Sequence, residues 1–426
     1  WGQFGILQKE EDTIMVHLTT ALEPGSGVPL YEQLYRSLAG EMRTGALPAG
    51  TRMPGKRRLA AELSVSVNTV DTAYQMLAAE GYLAARERSG FYVQEYLALP
   101  QVGPDARGPS PTPAVPEPAA PEPPVRYDLS TRGVDPGLFP FRTWARLQKE
   151  LLYSSPELLT NGDAQGDLAL RQALADYLAE YRGVQCGAHQ VVVGAGLEYL
   201  LGLLAPLLHG TAAVETPGYP RALQVLENTG MRCCCLPVDE GGLSLDALDR
   251  SGAAVCYVTP SHQFPTGVTM PAGRRAELLH WAARRPGQRY IIEDDYDSEF
   301  RYASRPIPAL RELDREGRII YVNTFSKSLA PGLRIGYLVL PDALMARYRE
   351  RFSLYAATVS SFDQFTLAAF MHSGGFERHI SRSRKVYQAR RDALMAALDR
   401  ELADLPHEVS RSEAGLHLLL HMRNGM

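Results

Sequence analysis

Residues 321–337, YVNTFSKSLAPGLRIGY, constrain the fold of this chain more tightly than any other stretch. An apolar strand (Ile319, Ile320, Tyr321, Val322) runs into a hydroxyl-rich turn and then a lysine, Lys327. A Pro-Gly break, Arg334 and a second apolar strand over 335–340 follow. A lysine set between two buried strands is costly to desolvate unless it is neutralised, paired or used covalently. Thr324, Ser326 and Ser328 put hydroxyls around it, and Arg334 brings a planar fork suited to phosphate. An aldehyde carrying a phosphate, held by Lys327 as a Schiff base, satisfies all of these groups at once.

A surface lysine in a loop would explain a Ser-Lys pair by itself, but not the second stretch, YIIEDDYDSEF at 290–300. This is an apolar strand ending in carboxylates and a tyrosine, where open α/β sheets present their ligand groups. A pyridinium nitrogen needs a buried carboxylate, and a phenolic ring oxygen needs a donor such as tyrosine. Asp294 and Tyr296 are the candidates; Asp295, Asp297 and Glu299 are expected to be solvated strand-end or cap charges. Together the two stretches resemble the cofactor-binding segments of fold-type I pyridoxal-phosphate enzymes, the aspartate aminotransferase-like superfamily. The resemblance implies pyridoxal 5'-phosphate as cofactor and Lys327 as its Schiff-base lysine. It implies Asp294 as the pyridinium partner and Tyr296 as donor to the ring oxygen, with Thr324, Ser326 and Arg334 at the phosphate.

At 426 residues the chain exceeds one ordinary core, so at least two domains are expected. Its net charge of −4 confines any nucleic-acid surface to a local patch. There is no apolar run of membrane-spanning length and no secretory pattern, which points to the cytoplasm. The triplet Cys233–Cys235 has no His or CxxC partner nearby and alternates faces along a strand, so buried reduced thiols are expected rather than a metal site.

Residues 1–27 read as an amino-terminal tail, with Met15 a candidate natural start. From Pro29, Leu30, Leu34 and Leu38 recur at helical spacing up to Gly45. GKRRLAAEL is a short helix, and Ser66 an N-cap for a further helix over 68–80. Residues 82–93 form a hairpin with Ser89-Gly90 at its tip. Helix, helix–turn–helix and hairpin make a winged helix-turn-helix. VPLYEQLYRSL, LPAGTRMPGKRRLA, NTVDTAYQMLAAEGYL and RSGFYV resemble GntR-type regulators across 28–96 and imply double-stranded operator DNA as partner. Arg52, Lys56, Arg57, Arg58 and, in the wing, Arg86, Arg88 and Gly90 suit phosphate contacts, while Asn68 and Thr69 reach base edges. Where the family usually has arginine before Asn-Thr, this chain has Val67, which can touch a thymine methyl.

Residues 97–125 hold ten prolines and few aliphatics, the composition of an extended tether. From 126 to 426 the pattern is α/β. GAGLEYLLGLL places Gly196 and Leu197 where the superfamily cradles phosphate, with Leu197 in place of the usual hydroxyl residue. Tyr219, in TPGY, matches the ring that stacks on the pyridine, although a core aromatic would read the same. In PSHQFPTG, Phe264 stands where asparagine usually bonds the ring oxygen. The basic run after Ser381 is expected to be a solvated helix face, and the arginine that binds a substrate carboxylate is expected beyond Met426.

The whole chain resembles the MocR/GabR-type transcriptional regulators. The expected fold is an α/β protein: a winged helix plus a fold-type I transferase-like domain with a mixed, mainly parallel sheet. The resemblance implies a homodimer, with the head of one subunit crossing to its partner. It implies pyridoxal phosphate, or a small amino compound joined to it, as effector. A working aminotransferase with an accessory DNA module is the alternative.

Overall fold

The structure, a computed structural model, describes residues 22–95, 126–131, 133–285, 289–302, 308–410 and 413–423. The chain divides into two compact units, Trp1–Pro124 and Val125–Met426. The proline-rich tether and most of the amino-terminal tail lie outside the described residues.

In the first unit, α1 (Leu30–Thr44) buries Leu34, Leu38 and Met42 on one stripe and ends at Gly45. That glycine has φ +81, a conformation a side chain would resist. The next helices are α2 (Lys56–Glu62) and α3 (Val67–Ala79), the latter capped by Ser66, whose hydroxyl accepts from the Thr69 N–H at 3.1 Å. Strands β1 (Leu83–Arg86) and β2 (Gly90–Val93) pair antiparallel with Leu83 opposite Val93. The Met53 N–H donates to the Phe91 carbonyl at 2.9 Å, tying the α1–α2 loop to the hairpin. Tyr74 fills the centre of the three helices, and its hydroxyl finds the Pro54 carbonyl at 3.0 Å. This is a winged helix-turn-helix with its own core.

The second unit is built on an eight-stranded sheet. Its strands are β3 (Val191–Gly194), β4 (Thr211–Thr216), β5 (Arg232–Asp239), β6 (Gly242–Leu243), β7 (Val255–Val258), β8 (Tyr290–Asp294), β9 (Ile319–Thr324) and β10 (Gly336–Val339). The order is β3-β10-β9-β8-β7-β4-β5-β6. The run from β9 through β8, β7 and β4 to β5 is parallel, while β10 is antiparallel to both β3 and β9. Strands buried on both faces read as continuous apolar runs, as IIYV in β9 does. Alternate residues face opposite sides of the sheet: Ile320 and Val322 join one core, while Tyr321 and Ile319 on the other side join two others.

The covering helices are α4 (Phe141–Ser154), α5 (Leu168–Arg182), α6 (Leu197–Leu204), α7 (Pro220–Asn228), α8 (Leu245–Ser251) and α9 (Ala272–Ala283). They are followed by α10 (Phe325–Ser328), α11 (Asp342–Phe352), α12 (Ser361–His372) and α13 (Gly375–Glu401). A small antiparallel pair, β11 (His407–Ser410) and β12 (Leu419–Met422), closes the described residues. The solvated face expected after Ser381 lies on α13, where Arg382, Lys385 and Arg390 are at least partly exposed. The carboxyl ends of β4, β7, β8 and β9 converge with the start of α6, which sets the place of the cleft described next.

Candidate functional site

Strand β9 ends at Thr324, and the single helical turn of α10 follows at once. Phe325 and Leu329 are buried in the core on either side of that turn, which holds Lys327 facing a cleft of about 380 Å³. That is room for a small cofactor. Thr324, Ser326 and Arg334 line the same cleft, whereas Ser328 is buried, its carbonyl accepting from His379 at 2.8 Å. Burial lowers the pKa of Lys327, against the opposing pull of Asp297, so the amine is more readily a free base than an exposed lysine. It donates to the backbone carbonyl of Thr131.

Asp294, the last residue of β8, is 4% exposed and takes a short hydrogen bond from the Tyr257 hydroxyl. Burial pushes its pKa up to about 7; the Tyr257 bond opposes this, and the charges of Asp295 and Asp297 add to it. A carboxylate so placed is relieved by a cation arriving from the cleft. Tyr296 also lines the cleft, its hydroxyl 3.2 Å from His262 Nδ1, which is itself 2.8 Å from Asp297 Oδ2.

The other acids of this stretch are not solvated, contrary to the sequence expectation. Asp295 is 1% exposed, Asp297 2% and Glu299 6%. Their cover comes from residues remote in sequence. Arg182, at the end of α5, forks onto Asp295 at 2.8 and 3.0 Å, and Tyr321 and Ser298 donate to it at 2.6 and 2.9 Å. Burial alone would raise the pKa of Asp295, but the Arg182 charge and these hydroxyls hold it below the usual carboxylate range. Glu299 has a long contact from Asn323, at 3.4 Å, and burial pushes its pKa up to about 7.

At the far end of the cleft, β3 turns into α6 through Gly194–Leu197. Gly196 has φ +87, and a Cβ there would stand 2.6 Å from a guanidinium nitrogen of Arg334. Glycine therefore lets the arginine lie against the backbone at the helix start, where unpaired N–H groups favour an anion. Arg334 adopts the left-handed conformation, φ 52, after the turn at Pro331–Leu333. Its Nη2 donates to Glu198 at 2.6 Å, and Arg221 donates to the other oxygen of Glu198 at 3.1 Å. Leu197 lines the cleft, as does Tyr219 at the start of α7, whose ring meets Phe264 edge-on at 5.8 Å.

Lys327, Asp294, Tyr296, Tyr219, Leu197, Thr324, Ser326 and Arg334 thus line one cleft, with Gly196 against Arg334, while Ser328 is buried away from it. Sequence reasoning missed Glu198, Arg221, Tyr257 and His417, which face the cleft or its acids. Glu198 adjoins Leu197 and Arg221 stands two residues beyond Tyr219, and that proximity was the available signal. Glu215 was missed too: it lies near the end of β4, accepts from the Thr259 hydroxyl at 2.8 Å, and has its pKa pushed up to about 7 by burial.

The cysteine expectation also needs correction. Cys233 and Cys234 are half-buried and Cys235 is exposed, because β5 is bordered on its outer side only by the two residues of β6.

In the first unit, Arg52, Arg57, Arg58, Asn68, Arg88 and Gly90 are at least partly exposed. Lys56 pairs with Asp71 and Arg58 with Glu62, so the local positive field is weaker than the bare sequence implies. Thr69 also shares in the cap, its hydroxyl 2.8 Å from that of Ser66. Val67, at the start of α3, is 46% exposed.

Known proteins share both units. Residues 30–93 match the bacterial regulatory proteins of the gntR family, and residues 134–425 match aminotransferase class I and II. An uncharacterized HTH-type transcriptional regulator of Bacillus subtilis, YdeL, is 41% identical over 95% of this chain and 86% of its own length. The probable rhizopine catabolism regulatory protein MocR of Rhizobium meliloti is 37% identical over 93% of this chain and 83% of its own. Among solved structures, alpha-aminoadipate aminotransferase LysN of Thermus thermophilus, complexed with N-(5'-phosphopyridoxyl)-L-leucine, aligns with TM-score 0.58 and 27% identity. That alignment spans 68% of this chain and 75% of that one.

Proposed function

The chain belongs to the MocR-type HTH transcriptional regulators, a GntR-family winged helix joined to a class I and II aminotransferase domain, and from that premise we propose that it binds pyridoxal 5'-phosphate at Lys327 and couples occupancy of that site to operator binding. The carrying observation is one cleft that joins an amine of lowered pKa, a buried carboxylate at Asp294 and a guanidinium laid against a glycine turn. These groups match, in turn, an aldehyde, a ring nitrogen that takes a proton, and a phosphate. The phosphopyridoxyl compound held by the LysN relative supports the same reading.

When bound, pyridoxal phosphate supplies an aldehyde that condenses with primary amines and a ring that withdraws electrons. The chain's own residues do the rest. Lys327 Nζ has a larger free-base fraction at neutral pH than an exposed lysine, as attack on an aldehyde requires. Asp294 would take a positive ring nitrogen, and Tyr296, whose hydroxyl lies 3.2 Å from His262 Nδ1, would supply a donor to the ring oxygen. Arg334, Thr324, Ser326 and the backbone at Gly196 and Leu197 would hold the phosphate, and Tyr219 would cover a ring face. Phe264 offers no donor to the ring oxygen, which disfavours turnover, and Leu197 offers the phosphate no hydroxyl.

Lys327 Nζ, the amine that would hold the aldehyde, donates to the Thr131 carbonyl, so its engagement or release would alter that contact. Thr131 lies just after the tether in sequence, so a change at this contact would act on the chain that leads toward the head. We assign 28–96 to DNA binding, 97–125 to the tether and 126–426 to the sensing body. In the head, Arg52, Lys56, Arg57, Arg58 and Arg88 meet phosphates, Gly90 permits the wing tip to approach, and Asn68 and Thr69 meet base edges. Exposed apolar side chains on the body, Phe141, Leu152, Tyr153 and Leu159, are 63–83% exposed and support burial against a second copy, hence a homodimer. Among the described residues no helix is long and apolar enough to cross a membrane.

The test is borohydride reduction of the full chain incubated with pyridoxal phosphate, followed by peptide mapping. The pyridoxyl group is expected on Lys327; a label spread over other lysines contradicts the assignment. Because Lys327, Asp294 and Tyr296 share one cleft, an aminotransferase reading also has footing. Steady keto-acid formation from an amino donor would favour it.

A further inference from the structure

Glu198 makes two contacts that no structural need of its helix explains. An acidic residue in the first turn of a helix is ordinary, since it complements the positive end of the dipole. Glu198 goes further: Oε2 takes Arg334 at 2.6 Å, and Oε1 takes Arg221 at 3.1 Å. Two guanidinia beside a helix start are a partner set that a phosphate monoester also uses. The carboxylate therefore engages the donors that the proposed cofactor's phosphate needs.

We propose that Glu198 is an internal rival of the phosphate group, which holds Arg334 until phosphate displaces it and thereby sets how tightly the cleft retains its cofactor. The inference rests on the cofactor reading of the cleft given above. Glu198 reduces the charge offered to an incoming phosphate, since it neutralises one of the two guanidinia beside it. Burial alone would raise its pKa, but the hydrogen bond and charge of Arg334 prevail and hold it below its ordinary value. It therefore meets the phosphate as a full negative charge. Leu197 adds no hydroxyl to compensate. A site of this kind loads in proportion to the cofactor around it rather than holding it permanently, which suits a protein that reports cofactor supply.

The experiment compares the full-length wild-type chain with Glu198→Gln and Glu198→Ala, titrated with pyridoxal phosphate and with pyridoxal, which lacks the phosphate. Binding is read from the absorbance of the bound pyridoxal. Removing the carboxylate is expected to tighten pyridoxal phosphate binding roughly three- to tenfold, the lower range for a charge-assisted contact between half-exposed groups. Pyridoxal affinity is expected to stay unchanged, which also verifies that the variants are folded. Inorganic phosphate should compete more strongly in both variants than in wild type. Weaker or unchanged pyridoxal phosphate binding in the variants, with wild type binding normally, overturns the rivalry and makes Glu198 a support for Arg334. If wild type binds neither compound, the cofactor reading fails and the inference falls with it.

Discussion

Asp294 is neutralised by its surroundings at a pH where an ordinary aspartate is fully charged, and Asp294→Asn isolates that effect. Burial lifts its pKa from 3.8 to about 7. The folded chain therefore holds this proton more tightly than the unfolded chain. The stability gained is fully present below the unfolded pKa and is lost as pH rises through about 7. A rise of that size corresponds to about 4 kcal/mol at full extent. Asparagine keeps an oxygen for the Tyr257 hydroxyl but never ionises. The variant should match wild type only below about pH 3.8, the unfolded pKa, and exceed it by a few kcal/mol at pH 8, in the absence of cofactor. Urea unfolding followed by tryptophan fluorescence suits the purpose, because Trp144 and Trp281 are both buried in the body. Glu215, Glu293 and Glu299 also have pKa values lifted to about 7, so both proteins will drift with pH, and the difference between them carries the result. A difference that stays flat from pH 5 to 8, or a variant less stable at pH 8, would refute the reasoning. Pyridoxal phosphate should shrink the gap, since a cation beside Asp294 relieves its burial.

Arg182→Ala strands the buried charge of Asp295 and should cost the body about 3–5 kcal/mol, measured by the same unfolding assay. In the head, Arg57→Ala should weaken binding to all duplexes and flatten the log–log salt dependence by about 0.9 for each phosphate left without its cation. Asn68→Ala should instead reduce discrimination among duplex sequences, read from competition binding, with its salt dependence kept.

Much of the site was legible because it sits where local patterns end. The apolar runs of β8 and β9 stop at Asp294 and Thr324, and a residue that follows a buried strand has few places to go. The head was legible for a similar reason: α1, α3 and the hairpin are each defined by their own spacing, cap and turn. Asp295, Asp297 and Glu299 were misread because their fate depends on partners supplied by distant chain. Arg182 comes from 113 residues upstream of Asp295, and His262 from 35 upstream of Asp297. The cysteines of β5 show the same limit. Their alternation along the strand was readable, but their depth follows from the strand's place near the sheet edge, which only the strand order reveals.

The central claim is that occupancy at Lys327 is felt at the operator. The direct measurement is the affinity of the full chain for a duplex selected from random sequence, with and without pyridoxal phosphate and with an added amine, for wild type and Lys327→Ala. The account predicts a wild-type shift within about 5–150-fold, the usual range of coupling between sites, and no shift in the variant. Unchanged wild-type affinity at saturating cofactor, accompanied by steady keto-acid formation, would contradict it and make the body an enzyme that happens to carry a DNA-binding head.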